Sequence, residues 1–184
     1  MINLLKIEWL KIKNYTAFIV MTLFFIVGVF ALNYIVFTVN KNIVNNVPGA
    51  GLVSFSPYDF ANTWQSTSYA TGFILLLPAL LLLMLFTNEY TFKTHRQNII
   101  DGLSRQQFIS VKIMMALIFA MAATLLVIIS ALIFGFGSGT AFSLNGFIFV
   151  GYFFLKALSY NLIAILFSVL VKRTGFAIGI FFIY

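Results

Sequence analysis

The residues of this chain that could do chemistry crowd into one stretch, residues 88–112, NEYTFKTHRQNIIDGLSRQQFISVK. It holds six of the fifteen charged side chains (Glu89, Lys93, Arg96, Asp101, Arg105 and Lys112) and the single histidine. Charges of mixed sign set register and orientation in a protein contact more than raw affinity, and Phe92, Ile99 and Ile100 would supply an apolar anchor. The same residues also suit a solvated basic loop whose only work is to set membrane topology.

Catalytic constellations are missing. No G-x-x-x-x-G-K-[ST] sequence occurs, so the chain has no phosphate-binding loop of its own. One histidine and no cysteine cannot build the usual zinc or haem ligand sets. No serine stands in a G-x-S-x-G elbow. The apolar runs hold no Asp or Glu, the relay groups that ion-coupled carriers commonly use. The chain therefore reads as no enzyme and binds no cofactor, and any transport it performs needs a borrowed energy source.

The elements that must position the loop are apolar helices. Hydrophobic residues make up 62% of the 184 and charged residues 8%, against about 25% charged in a soluble domain. A spanning helix needs roughly 20 apolar residues, and four runs satisfy this: residues 15–37, 68–87, 113–134 and 147–171. Residues 174–184 reach only about 16 Å and read as the start of a fifth span. The fold class is all-α, a polytopic membrane bundle forming a single transmembrane domain over residues 1–184.

Before the first run, residues 1–14 place Ile2, Leu5, Trp9 and Ile12 in a narrow helical arc with Lys6 and Lys13 beside it. That suits an amphipathic helix on the membrane surface, with Trp9 at interfacial depth, or else a plain basic flank. Residues 39–66 form an Asn-rich connection in which Ser56-Pro57 predicts a short helix through Trp64 on the outer surface. Pro78 predicts a kink in the second run. Within the loop, residues 91–101 can form a short helix that Gly102 ends, and Ser104 with Gln107 makes a capping box opening a helix that continues into the third run.

Nine basic residues flank the runs on one side: Lys6, Lys11, Lys13, Lys93, Arg96, Arg105, Lys112, Lys172 and Arg173. Lys41 stands opposite. The bias puts the N-terminus and residues 88–112 in the cytoplasm. Because these residues flank spans and form no patch, the net charge of +7 implies no nucleic-acid partner. Lys156 alone lies deep inside a run, either as a functional intramembrane charge or as a side chain snorkelling to the outer headgroups. A transport pathway would need polar groups around one cavity, and the candidates are Asn33, Thr71, Thr124, Ser130, Ser159, Tyr160 and Asn161. Each could equally be helix-packing material.

A glutamate (Glu89) at the end of the second span, a threonine (Thr94) five residues on, a Ser104-Arg105 pair and Lys112 at the start of span three form a pattern. With Glu8 and Lys11 in the N-terminal helix, it resembles the permease subunits of ABC-2 type ABC transporters. Lys93 stands where that family usually has glycine, and Gly102-Leu103 replaces its proline-containing approach to Ser-Arg. The resemblance implies six spans in the full fold, an N-terminal interface helix, and a bacterial cytoplasmic (inner) membrane location. It also implies a second permease chain, identical or related, and two cytoplasmic ABC ATPase subunits carrying Mg-ATP. The short helix between spans two and three would be the coupling helix, with Glu89, Phe92, Thr94, Arg96, Ile99, Ile100 and Arg105 as the ATPase-coupling residues. The function implied is export of an unidentified substrate. The alternative is a non-transport scaffold or assembly subunit that anchors a cytoplasmic partner through the same loop.

Overall fold

The computed structural model describes residues 2–46, 58–92, 94 and 104–183. Every regular element among them is an α-helix: α1 (Ile2–Lys13), α2 (Thr16–Asn46), α3 (Phe60–Gly72), α4 (Leu76–Thr91), α5 (Arg105–Gly137), α6 (Ile148–Val171) and α7 (Thr174–Ile183). Helices α2, α5 and α6 are long and apolar enough to cross a membrane, and α3 with α4, bent by 43° at their junction, makes a fourth candidate. The chain is a helical membrane protein. Helix α1, the end of α4, the start of α5 and the α6–α7 turn share one end, the proximal end; the end of α2, the start of α3 and the α5–α6 turn share the distal end.

Helix α5 is the mast of the bundle. Ala116, Ala120, Ala123, Val127 and Ala131 recur every three or four residues, and each is at most 2% exposed. Lipid tails are as apolar as leucine, so helices associate in a membrane through close packing, which alanine permits. Phe25 and Val29 of α2, with Phe153 and Ala157 of α6, close on the middle of this stripe. Ile12 of α1, Leu82 and Phe86 of α4 and Ile165 of α6 close on its proximal part. Helix α7 sets Ala177 and Phe181 against Ala79 and Leu83 of α4 and Ala164 of α6.

Some boundaries fall where the sequence puts them and others do not. Ser104 Oγ accepts from Gln107 N–H and Gln107 Oε1 from Ser104 N–H, so the expected capping box opens α5, which runs unbroken through the apolar run at 113–134. Helix α2 continues past residue 37 to Asn46, because the Asn-rich stretch contains no breaker before Pro48. The short helix expected to end near Trp64 and the first turn of the span expected at 68–87 are one helix, α3; the rest of that span lies in α4 beyond the bend. Trp64 of α3 is 2% exposed. Its polar composition hides a buried face, since Thr67 Oγ1 donates back to Thr63 O (2.7 Å) and satisfies itself.

The bend falls at residues 73–75, upstream of Pro78. Pro78 occupies the third position of α4, where a helix has no use for the missing N–H, and its ring excludes the usual bond to Ile74 O. That carbonyl accepts from Leu77 N–H instead (3.1 Å). The cost of the proline is thus met one turn earlier, next to Gly72.

At the distal end α3 is clasped to the α5–α6 turn. Phe60 N–H donates to Thr140 Oγ1 (2.9 Å) and Trp64 Nε1 to Ser143 O (2.8 Å). The Phe60 ring meets Phe136 and Phe142 edge-on at 5.1 and 4.9 Å. Gly146 adopts φ +87°, and a Cβ there would stand 2.7 Å from Ala61 O. Gly146→Ala is therefore expected to destabilise the fold by about 1–3 kcal/mol. Gly137→Ala, in open space within α5, should instead be neutral or stabilise by up to about 1 kcal/mol. Thermal unfolding of both variants in detergent reads the opposite signs.

Candidate functional site

The side chains brought together most tightly lie at the proximal end, where three separate segments meet on one ammonium. Lys112, in the second turn of α5, is 4% exposed. Its Nζ donates to Glu8 Oε2 of α1 (2.9 Å) and to Glu89 Oε1 of α4 (2.6 Å). Lys11 adds a second cation, 3.2 Å from Glu8 Oε1. The Phe86 and Phe108 rings lie 4.5 and 5.1 Å from the Lys112 ammonium, offering their π-faces where water is excluded. Sequence separation makes this a tertiary feature: Glu8 and Lys112 are 104 residues apart.

Local structure aims each partner. Glu8 shares the inward face of α1 with Leu5 and Ile12, both packed in the core. Glu89 lies one turn after Phe86 near the end of α4, and the start of α5 returns alongside it to present Lys112. Burial, the strongest influence on the Glu8 carboxyl, raises its pKa, but Lys112 and Lys11 together outweigh burial and hold it below the usual carboxylate value. A second polar contact sits beside the first, where Asn88 Nδ2 donates to Tyr15 OH (2.8 Å). A cleft of about 230 Å³ opens between these groups, lined by Glu8, Lys11, Tyr15, Glu89, Phe92 and Thr94.

Of the residues assigned to the ATPase contact, Glu89 points inward to Lys112, while Phe92, Thr94 and Arg105 are exposed. Thr94 Oγ1 donates to Glu89 O (3.3 Å). Arg96, Ile99, Ile100 and the expected short helix at 91–101 fall mostly outside the described residues. In α1, Lys6 and Lys13 are exposed, and Trp9 is half-exposed with its ring edge-on to Phe18 at 5.9 Å. No periodicity in the sequence links Glu8 to Lys112; only its place in a helix whose neighbours at 5 and 12 are apolar hints that Glu8 turns inward.

The seven candidate pathway residues do not converge on one cavity. Asn33 is buried, donating to Val29 O (2.8 Å) and Thr71 Oγ1 (3.3 Å). Thr124 and Ser159 bond back into their own helices, on Ala120 O and Leu155 O. Asn161 donates to Ala116 O (3.1 Å), tying α6 to α5, and Ser130 is buried on α5. Tyr160 packs edge-on to Phe181. The larger concavity lies elsewhere, a groove of about 560 Å³ between α2 and α3 lined by Leu32, Val36, Asn62, Gln65, Tyr69 and Phe73 among others. Among the described residues no cluster of three or more His, Cys, Asp or Glu could hold a metal ion.

Comparison with family models, with curated proteins and with solved structures finds no match to this chain.

Two outcomes follow from the network. Lys112→Met strands the buried Glu8 and the partly buried Glu89 carboxylates and is expected to cost about 3–5 kcal/mol, read as a lower unfolding midpoint in detergent. Because the Glu8 carboxyl titrates lower folded than unfolded, its stabilisation is complete above the unfolded value of 4.5 and is lost as pH falls through the folded value. Burial raises the Glu89 carboxyl and gives it the opposite sign, so the Glu8 share is read as a difference. On acidification below 4.5 the melting temperature should fall further in wild type than in Glu8→Gln, and an equal response in both would remove Glu8 from the acid response.

Proposed function

We propose that this chain is the permease subunit of an ABC transporter of the ABC-2 type, exporting a substrate with energy from a separate cytoplasmic ATPase. One observation carries this reading. Glu8, Lys11, Glu89 and Lys112, four of the residues that carry the family resemblance, come from three separate segments and meet in one ion network. Independent matches scattered along a chain have no reason to converge unless they serve one structure.

The arrangement suits coupling. Glu89 and Lys112 stand at the two roots of the 88–112 loop, and their contact closes the loop at its base. A force applied to the loop by an ATPase that closes on Mg-ATP would then pass to α4 and α5 together, and through Glu8 to α1. Phe92 and Arg105 lie exposed beyond the closure and are available to a partner. In this reading the proximal end is cytoplasmic, as the basic bias requires, the membrane is the bacterial cytoplasmic membrane, and a second permease chain completes the pathway.

The scaffold reading draws on a different observation, the scatter of the seven polar candidates, of which Asn33, Thr124 and Ser159 bond back into their own helices and Asn161 to α5. A pull-down in mild detergent separates the two. The wild type should co-purify an ABC ATPase, detected as Mg-ATP hydrolysis in the eluate. Phe92→Ala/Arg96→Ala should lose that ATPase while keeping the wild-type unfolding midpoint. Glu89 is left intact because its removal would disturb the network as well as the contact. Absence of any ATPase from the wild-type eluate would favour the scaffold; retention by the double variant would remove the loop from the contact.

A further inference from the structure

Between the start of α5 and the end of α6 lies a groove of about 460 Å³, with Tyr90 of α4 also in its lining. Ile109 and Ile113 line it from α5, and Leu162, Leu166 and Val169 from α6. These five side chains are between 38% and 54% exposed, so the described residues do not fill it.

The same lining holds a cation. Arg105 belongs to it and is exposed. Lys112 belongs to it as well, but its ammonium is taken by Glu8 and Glu89. Among the described residues Arg105 makes no salt bridge. The intramembrane Lys156 is exposed on α6, its Nζ 3.0 Å from the Cβ position of Gly72, and lines no part of this groove.

Depth follows from one hydrogen bond. Asn161 Nδ2 donates to Ala116 O (3.1 Å) and sets the two helices in register. Arg105 lies eleven residues before Ala116, and Lys172 eleven after Asn161. Both therefore stand about 16 Å further toward the proximal end. The apolar run of α6 ends at Val171, so Arg105 is level with the place where α6 leaves the hydrocarbon. From Lys172 back to Leu162 is ten residues, about 15 Å, which is half of a roughly 30 Å core. The groove is one leaflet deep, with a guanidinium at its mouth.

Arg105 is also in local conflict. It is the first residue of α5, and the first turn of that helix contains no acid. A helix N-terminus already carries about half a positive charge, so a cation there is unfavourable. An anion at the mouth would relieve both charges, and the planar guanidinium fork matches a phosphate. Lys172 and Arg173, exposed at the same end, add to the positive field.

We propose that the α5–α6 groove seats one anionic phospholipid, its phosphate on Arg105 and one acyl chain along Ile109, Ile113, Leu162, Leu166 and Val169. A groove between membrane helices with a basic mouth at the headgroup layer is the form such sites take. Spread over about 15 Å, the volume leaves a cross-section of about 30 Å². A helix roughly 10 Å across needs about 80 Å², so a chain fits where a helix does not. The site does not rest on the permease reading. It takes Arg105 out of the partner contact and into the headgroup layer.

Native mass spectrometry of the whole chain in mild detergent tests this without any ATPase, so its failure and that of the permease reading are separate results. The probes are dioleoylphosphatidylglycerol and dioleoylphosphatidylcholine. Wild type should bind one phosphatidylglycerol per chain saturably, and about tenfold more tightly than phosphatidylcholine. Arg105→Gln should bring the two lipids level. Leu166→Trp, which fills the groove and keeps the cation, should weaken phosphatidylglycerol by a similar factor; Val169→Phe serves if that variant fails to fold.

Unfolding midpoints give a second readout. Without lipid, Arg105→Gln should melt at or above wild type, since it loses a cation from a helix N-terminus. Phosphatidylglycerol should raise the wild-type midpoint and leave that of Arg105→Gln in place. Equal affinity of wild type for the two lipids overturns the proposal, as does an undiminished preference in Arg105→Gln or in the groove-filling variant. A lower lipid-free midpoint for Arg105→Gln would mean that the guanidinium is already held within the chain, and overturns it too. So does a wild-type dimer that Leu166→Trp dissociates without changing lipid binding, which would make the groove an interface between copies.

Discussion

The proximal half of this bundle depends on how one ammonium is kept out of water. Lys112 is buried among Phe86, Phe108 and two carboxylates. A buried ion network adds little net stability over well-packed apolar residues, because desolvation consumes most of the Coulomb gain. Its effect is on alternatives. Any arrangement that buries Lys112 without Glu8 and Glu89 leaves a bare charge, so α1, α4 and α5 are selected as neighbours at this end. Apolar packing alone, where one leucine can replace another, discriminates far less.

The distal half solves its problem differently. Its polar groups are mostly neutral and close on their own backbone or on an adjacent helix. Thr67 returns to Thr63, Asn33 to Val29, and Tyr58 OH donates to Asn33 O at 3.2 Å. Aromatic edges then fill the space between α3 and the α5–α6 turn. One end is specified by charge and the other by shape, with the α5 alanine stripe running between them.

How much of this the sequence discloses depends on the range of the interaction. The start of α5 is legible because its capping box spans three residues, and the ends of α6 are legible because charge and glycine bracket a continuous apolar run. The start of α3 is not, since a threonine counts as polar in any hydropathy window whether or not its hydroxyl is satisfied by the preceding turn. The bend is half legible: Pro78 announces it, while the position is set by the carbonyl four residues earlier and by Gly72. The ion network is the least legible feature, since Glu8, Glu89 and Lys112 each look like an ordinary basic-flank or loop charge until folding brings both carboxylates within 3 Å of the Lys112 ammonium.

The polar make-up of α3 also bears on how the chain enters its membrane. Phe60–Gly72 contains four threonines and serines on its buried face, no leucine and no isoleucine. Insertion machinery that reads transfer free energy along a nascent segment would retain α4 but find little to retain in α3. The Phe60 and Trp64 contacts that hold α3 are made to Thr140 and Ser143, some eighty residues later in the chain. Composition thus favours insertion of α4 over α3, whose contacts to Thr140 and Ser143 can form only once α5 and the turn beyond it have been made.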